Sequence, residues 1–276
     1  LSLQLELICR RPRQETKAIP LLFVHGAFCG AWVWDEHFLP FFAAQGYTAY
    51  ALSLRGHGAS EGHEQLQEAS LKDYVDDVGE VIARLDRVPA LIGHSLGGVV
   101  VQSYLRHHAI PGAVLMASGP PHGMLPCAVG MALRNPMLFR ELYLTQFVGA
   151  QGTSGTAIQA ALFSQTVPMH DVRRYFACTQ SESVRLSFDL MFPQFPRRQV
   201  QRDTPVLVMG AARDDFVSPV MVRATARVYG TKAEIIPGMA HAMMLETNWI
   251  QGARRIAGWL EQSVTVSTGE PYPAAS

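Results

Sequence analysis

Three features of the sequence could do chemistry together: a serine set among glycines, a lone late histidine, and a pair of adjacent aspartates. Gly93-His94-Ser95-Leu96-Gly97-Gly98 follows the apolar run Pro89 to Ile92 and precedes a second apolar run, Val99 to Leu105. That context reads as strand, sharp turn and helix, with the serine held out beside a helix N-terminus. So tight a turn excludes bulky Cβ groups beside it, hence Gly93 and Gly97. A serine hydroxyl is a poor nucleophile at neutral pH, so it requires a base within hydrogen-bond reach and an acid that orients the base.

On a strand-turn-helix nucleophile of this kind, the acid follows the serine along the chain and the histidine follows the acid. Of the ten histidines only His241 lies beyond Asp214, in Gly238-Met239-Ala240-His241 after the apolar strand Glu234 to Ile236. The acid is expected in a loop at a strand end, and Val206 to Met209 runs into Gly210-Ala211-Ala212-Arg213-Asp214-Asp215-Phe216-Val217-Ser218-Pro219. Asp214 has apolar residues at the second and third following positions, as in similar loops. Asp215 is the alternative, with helix capping or a surface charge as its other role. Glu141, Asp171, Glu182, Asp189 and Asp203 lie within or at the edge of a helical stretch and Glu234 begins a strand, so none of them ends one.

Attack on an ester carbonyl produces an oxyanion, which two preorganised backbone N–H groups must hold. Leu96, immediately after the serine, supplies one. Ala27 supplies the second, from His25-Gly26-Ala27 after the first long buried strand. His25 and His94 read as residues that brace their loops. Arg55-Gly56-His57-Gly58-Ala59-Ser60 reads as a structural turn near the site.

The elements that must position these residues alternate. Leu3 to Leu7 has the period of two of a half-buried edge strand, whereas Leu21 to Val24, Ala90 to Ile92, Ala113 to Met116 and Val206 to Met209 are continuous apolar runs. Continuous runs suit a parallel sheet covered on both faces. Between them lie helical periods such as Tyr74, Val78, Val81, Ile82 and Leu85 after Ser70, an N-cap. The fold class is therefore α/β, a mainly parallel doubly wound sheet. The alternation breaks between about Gly119 and Gln201, where Met131, Leu133, Met137, Leu138, Phe139, Leu142, Phe147, Leu162, Phe163, Phe176, Leu186, Phe188, Met191 and Phe192 fall in short helical patterns. Each is expected to pack on its neighbours first and to line a pocket second. Residues 1–124 and 202–262 form the expected core, and the tail 263–276, with Gly269, Pro271 and Pro273, is an exposed extension.

A chain of 276 residues, 48% hydrophobic, can bury one substantial core. Lys+Arg and Asp+Glu balance at 23 each, so no net field draws it to nucleic acid or to an anionic membrane; a small, roughly neutral molecule fits better. Cys9, Cys29, Cys127 and Cys178 are widely spaced and read as free thiols of a reducing compartment. No basic-then-apolar leader is present at the start, and no apolar run reaches the roughly 18 residues of a membrane span, so the reading is a cytoplasmic protein without stable membrane insertion. No HExxH or carboxylate cluster suggests a metal, and His107-His108, expected on a helix, point to different sides. Oligomeric state is not legible.

Taken together, HGA, RGHGAS, GHSLGG, GAARDDFVSP and GMAHAMMLE, in this order, resemble the α/β-hydrolase superfamily from about Pro20 to Trp259. The resemblance implies a helical cap over the strand ends, here 125–201, and no cofactor. Many members carry aspartate two positions before the arginine of the second motif, where this chain has Ser53. The pattern is similar to lysophospholipases and small carboxylesterases, and to C–C bond hydrolases with the same triad. Serine at the turn separates the chain from haloalkane dehalogenase and epoxide hydrolase relatives, which require aspartate there. Leu96 stands where perhydrolase-like members commonly carry methionine. The leading expectation is hydrolysis of a small to medium, largely apolar ester through a Ser95 acyl-enzyme. A C–C hydrolase, a hydroxynitrile-lyase-type enzyme and a non-catalytic binding protein of the same fold are the alternatives.

Overall fold

A computed structural model describes residues 3–14, 17–148, 155–192 and 204–264. Seven strands, β1 (Leu7–Arg10), β2 (Leu21–Val24), β3 (Ala49–Leu52), β4 (Ala90–His94), β5 (Ala113–Met116), β6 (Val206–Ala211) and β7 (Ala233–Ile236), form one sheet in the order β1-β3-β2-β4-β5-β6-β7. All neighbours are parallel except β1 and β3. Side chains of the central strands alternate between two cores. Leu21, Phe23, Ile92, Val114, Met116, Leu207 and Met209 face one; Leu22, Val24, Leu91, Leu115 and Val208 face the other. Each strand has an apolar layer on both sides, which is why its sequence shows no polar alternation.

Helices α1 (Trp32–Asp35), α2 (Phe38–Ala44) and α11 (Ile250–Ser263) supply Trp34, Phe38, Phe42, Ile256 and Leu260 to the first core. Helices α3 (Leu71–Ala83), α4 (Leu96–Tyr104) and α10 (Pro219–Val228) close the second. Phe23 packs among Trp34, Phe42 and Phe38 at centroid distances of 5.0, 5.5 and 6.2 Å, a rigid floor beneath the loop that leaves β2. Burying each large apolar side chain of this kind contributes about 1.5–3 kcal/mol. Helix α3 begins where its sequence says: Ser70 and Asp73 form a reciprocal capping box.

Between β5 and β6 the chain forms α5 (Leu125–Arg134), α6 (Pro136–Val148), α7 (Thr156–Leu162), α8 (Met169–Ala177) and α9 (Val184–Met191). This is the expected helical insertion; its end beyond 192 and the tail beyond Val264 lie outside the described residues, as does the side chain of Phe147.

Two local expectations are corrected. The edge strand is Leu7–Arg10, not Leu3 to Leu7, because Gln4 and Glu6 spend their carbonyls on Glu61 N–H (2.9 Å) and Ser53 N–H (3.0 Å) of a neighbouring loop. His107 lies in a turn past the end of α4 at Tyr104 and His108 just after it, where it stacks on Tyr104 (4.2 Å).

Candidate active site

The chain leaves β2 toward β3 on one side and later returns to β4 on the other, so the carboxyl ends of β2 and β4 flank the point where strand order reverses. Open α/β sheets bind ligands at that position. His25-Gly26-Ala27 leaves one of these strands and Ser95 the other. Ser95 has φ 51° and ψ −114°, a conformation a residue with a side chain adopts only when the surroundings over-determine it. They do: Ser95 N–H donates to Met116 O (3.0 Å), and its carbonyl accepts from Gly98 and Gly119 N–H (3.1 and 3.3 Å). A Cβ at Gly97 would run into the Val24 and His25 carbonyls, and one at Gly93 into the Gly97 carbonyl, so β2, β4 and α4 meet backbone to backbone.

Neither Ala27 N–H nor Leu96 N–H donates a hydrogen bond among the described residues, which leaves both available to an incoming oxygen. Leu96 opens α4, whose N-terminal dipole favours negative charge there. His25 is fully buried: its Nδ1–H donates to Gly26 O (2.8 Å), and Nε2 accepts from Leu54 N–H (3.0 Å). Burial, reinforced by nearby His57, lowers its pKa to about 3, so it braces the loop as a neutral ring. Phe28, next in line, has φ 64°, a left-handed conformation that costs a bulky residue about 1–3 kcal/mol.

Asp214 lies in the loop after β6 and His241 in the loop after β7, both nearly fully buried. His241 Nδ1–H donates to Asp214 Oδ2 (2.8 Å), while Asp214 Oδ1 accepts from Phe216 and Val217 N–H (2.8 Å each). A carboxylate only accepts, so the proton sits on Nδ1 and Nε2 presents its lone pair. Asp215 is exposed, and its contact is with Asn135 Nδ2 (3.4 Å). His94 Nε2–H donates to His241 O (2.9 Å), joining the loop of the histidine to the strand of the serine. Burial and the neighbouring His241 hold the His94 pKa well below the ordinary histidine value.

Ser95 and His241 line a cavity of about 970 Å³ roofed by the insertion. Met131, Phe139, Leu142, Leu162 and Phe188 contribute to its wall, whereas Leu138 and Leu186 are buried in packing and Leu133 is 81% exposed away from it. Leu162 and Ala161 carbonyls also accept from Ala242 and His241 N–H (2.9 and 3.5 Å).

Sequence reasoning gave three residues here no role. Glu246 is fully buried and accepts Ala240 N–H, Ser164 N–H (2.8 Å each) and Ser164 Oγ–H (2.6 Å), fixing the His241 loop against the turn after α7. Glu182, between α8 and α9, accepts from Tyr74 OH (2.7 Å) and lies 3.3 Å from His57 Nε2. Glu6 Oε2 accepts Ser53 Oγ–H (2.5 Å) and Ala59 N–H (3.1 Å), while Ser53 Oγ accepts Ala31 N–H (2.8 Å). Among the described residues no cluster of His, Cys, Asp or Glu could hold a metal ion, and no helix is long and apolar enough to cross a membrane. The four cysteines are unpaired.

The chain is similar to a pyrethroid hydrolase of Sphingobium wenxiniae, 31% identical over 88 residues (32% of this chain, 31% of the relative). It is also similar to a non-heme chloroperoxidase of Streptomyces lividans, 38% identical over 112 residues (37% and 38%). The matched segments thus span only about a third of each relative's length. A thermophilic esterase from Thermogutta terrifontis superposes with a TM-score of 0.73 at 17% identity, covering 95% of both chains, a likeness of fold. The alpha/beta hydrolase family model matches residues 21–251, and with the sheet order and the turn at Ser95 this makes the chain a member of that family.

Proposed function

We propose that this member of the hydrolase class cleaves a small to medium, largely apolar carboxylic ester through an acyl-enzyme on Ser95. The observation that carries the reading is that His241, paired with buried Asp214, lines one largely apolar cavity together with a serine forced to positive φ. His241 Nε2 takes the Ser95 proton as Oγ attacks the carbonyl carbon, and Asp214 stabilises the imidazolium that forms. Ala27 and Leu96 N–H hold the oxyanion. On collapse His241 returns the proton to the leaving alcohol, and water repeats the cycle on the acyl group. Residues 125–201 act as the cap that selects the acyl group. The pyrethroid hydrolase and the esterase agree in reaction class with this reading. No metal or cofactor enters the scheme, and the substrate is the small-molecule partner.

The test is a fluorophosphonate probe together with p-nitrophenyl esters. Wild type is expected to be labelled and to turn over. S95A should lose both while its thermal unfolding stays close to wild type, since little buried volume is removed. Undiminished hydrolysis by pure, folded S95A would sink the serine mechanism.

A further inference from the structure

Ala27 N–H belongs to the peptide plane whose carbonyl is Gly26 O, and the next plane joins Ala27 C=O to Phe28 N–H. His25 Nδ1–H holds the first plane through Gly26 O (2.8 Å). The second is held from the insertion, where Phe28 N–H donates to Glu182 Oε2 (3.4 Å), a long bond that ends on a carboxylate; the plane after it is held as well, because Phe28 O accepts from Gln180 N–H (3.0 Å). The left-handed φ of Phe28 is thus gripped on both sides by the segment between α8 and α9.

That segment is itself fixed to the core. Gln180 Oε1 accepts Gly58 N–H and its Nε2 donates to Gly56 O (2.8 Å each). Glu182 Oε1 accepts Tyr74 OH and Ser183 N–H (2.7 Å each), and Oε2 faces His57 Nε2 at 3.3 Å. His57 in turn lies 5.1 Å from the His25 ring. Burial would raise the Glu182 pKa, but His57, Tyr74 and Ser183 outweigh it and hold the carboxyl below its ordinary value. A buried carboxylate is therefore aimed at the one strained residue beside the candidate oxyanion donor.

We propose that Glu182, assisted by Gln180, is a positioning residue for hydrolysis: from within the insertion it fixes the peptide plane after Ala27 and so preorganises the oxyanion hole. This rests on the serine mechanism proposed above. Its contribution grows as charge develops on the oxyanion, so it should appear in turnover and not in ground-state binding.

The experiment compares wild type with E182Q, which leaves an amide N–H where Phe28 N–H needs an acceptor. The readouts are kcat, KM and inhibition by an alkyl trifluoromethyl ketone, whose serine adduct places an oxyanion in the hole. Expected are a fall in kcat of about 10- to 100-fold, KM within about twofold, and a parallel loss of inhibitor affinity. F28G should lessen the E182Q defect in kcat, because glycine adopts positive φ without a Cβ penalty. An E182Q enzyme with unchanged kcat and inhibitor affinity overturns the proposal, as does a change confined to KM or a defect of full size in the F28G background. If E182Q does not fold, Y74F removes one bond to Glu182; a parallel fall in kcat and inhibitor affinity then supports the proposal, and no change overturns it. Fluorophosphonate labelling of the wild type is run alongside. Failure to label defeats the serine mechanism itself, whereas labelling with an indifferent E182Q defeats only the role of Glu182.

Discussion

At the scale of single residues, the candidate site divides, on the proposed mechanism, into groups that contact the reacting atoms and groups that hold them. The two adjacent aspartates make this division testable. Asp214 spends one oxygen on two backbone N–H groups and the other on His241, whereas Asp215 is exposed. D214N should lower kcat at least about tenfold more than D215N, because an amide at 214 cannot stabilise an imidazolium; the reverse order in steady-state kinetics would transfer the role. The pairing of His241 with Asp214, and the cavity that His241 shares with Ser95, were legible because chain order and the following apolar residues constrain them. Glu182, Glu246 and Glu6 were not. Each works by accepting backbone N–H groups or hydroxyls from distant segments, and no spacing along the chain encodes such pairs.

At the scale of elements, the turn at Ser95 is a packing solution before it is a chemical one. Because a Cβ on residue 97 meets two carbonyls of the β2 end, G97A should destabilise the protein by at least about 2 kcal/mol, measured by urea unfolding, and weaken fluorophosphonate labelling in the folded fraction. The roof of the cavity predicts selectivity. Each methylene added to the acyl group should raise kcat/KM about fourfold, on the order of 0.8 kcal/mol, until the cavity fills. L142A should move the optimum to longer chains and L133A should not, since Leu142 lines the cavity and Leu133 does not. A flat profile from acetate to octanoate, unmoved by L142A, would leave the insertion a structural role only. The apolar richness of the insertion was visible in sequence. Which of its side chains face inward was not, because helices of seven to thirteen residues joined by short turns can rotate their faces without changing the pattern.

At the scale of the whole molecule, the two-layered strands were legible from their unbroken apolar runs, and the sheet order followed from strand-helix alternation only as far as parallel pairing. Buried histidines give the fold a pH signature. His25 and His94 have folded pKa values below the unfolded 6.5, so the unfolded state binds more protons in acid and stability is lost as pH falls below 6.5, with His25 reaching about 3. His57 has a raised folded value despite its burial, because of Glu182, so its contribution is complete below 6.5 and is lost only as pH rises through that raised value. Stability should therefore peak near neutrality and fall toward pH 5 by on the order of 1–3 kcal/mol per pH unit, read as the urea midpoint at constant m; a stability that rises toward pH 5 would contradict the assignment. The contacts of Gln180 and Glu182 with Phe28, Gly56 and Gly58 carry one more implication. Relatives that share this sheet could exchange their stretches between β5 and β6 as interchangeable parts only if the new part brought its own acceptor for residue 28. If Glu182 positions the oxyanion loop as proposed, a graft chosen for pocket shape alone would arrive with the desired appetite and a slack loop, so selectivity and speed would have to be inherited together.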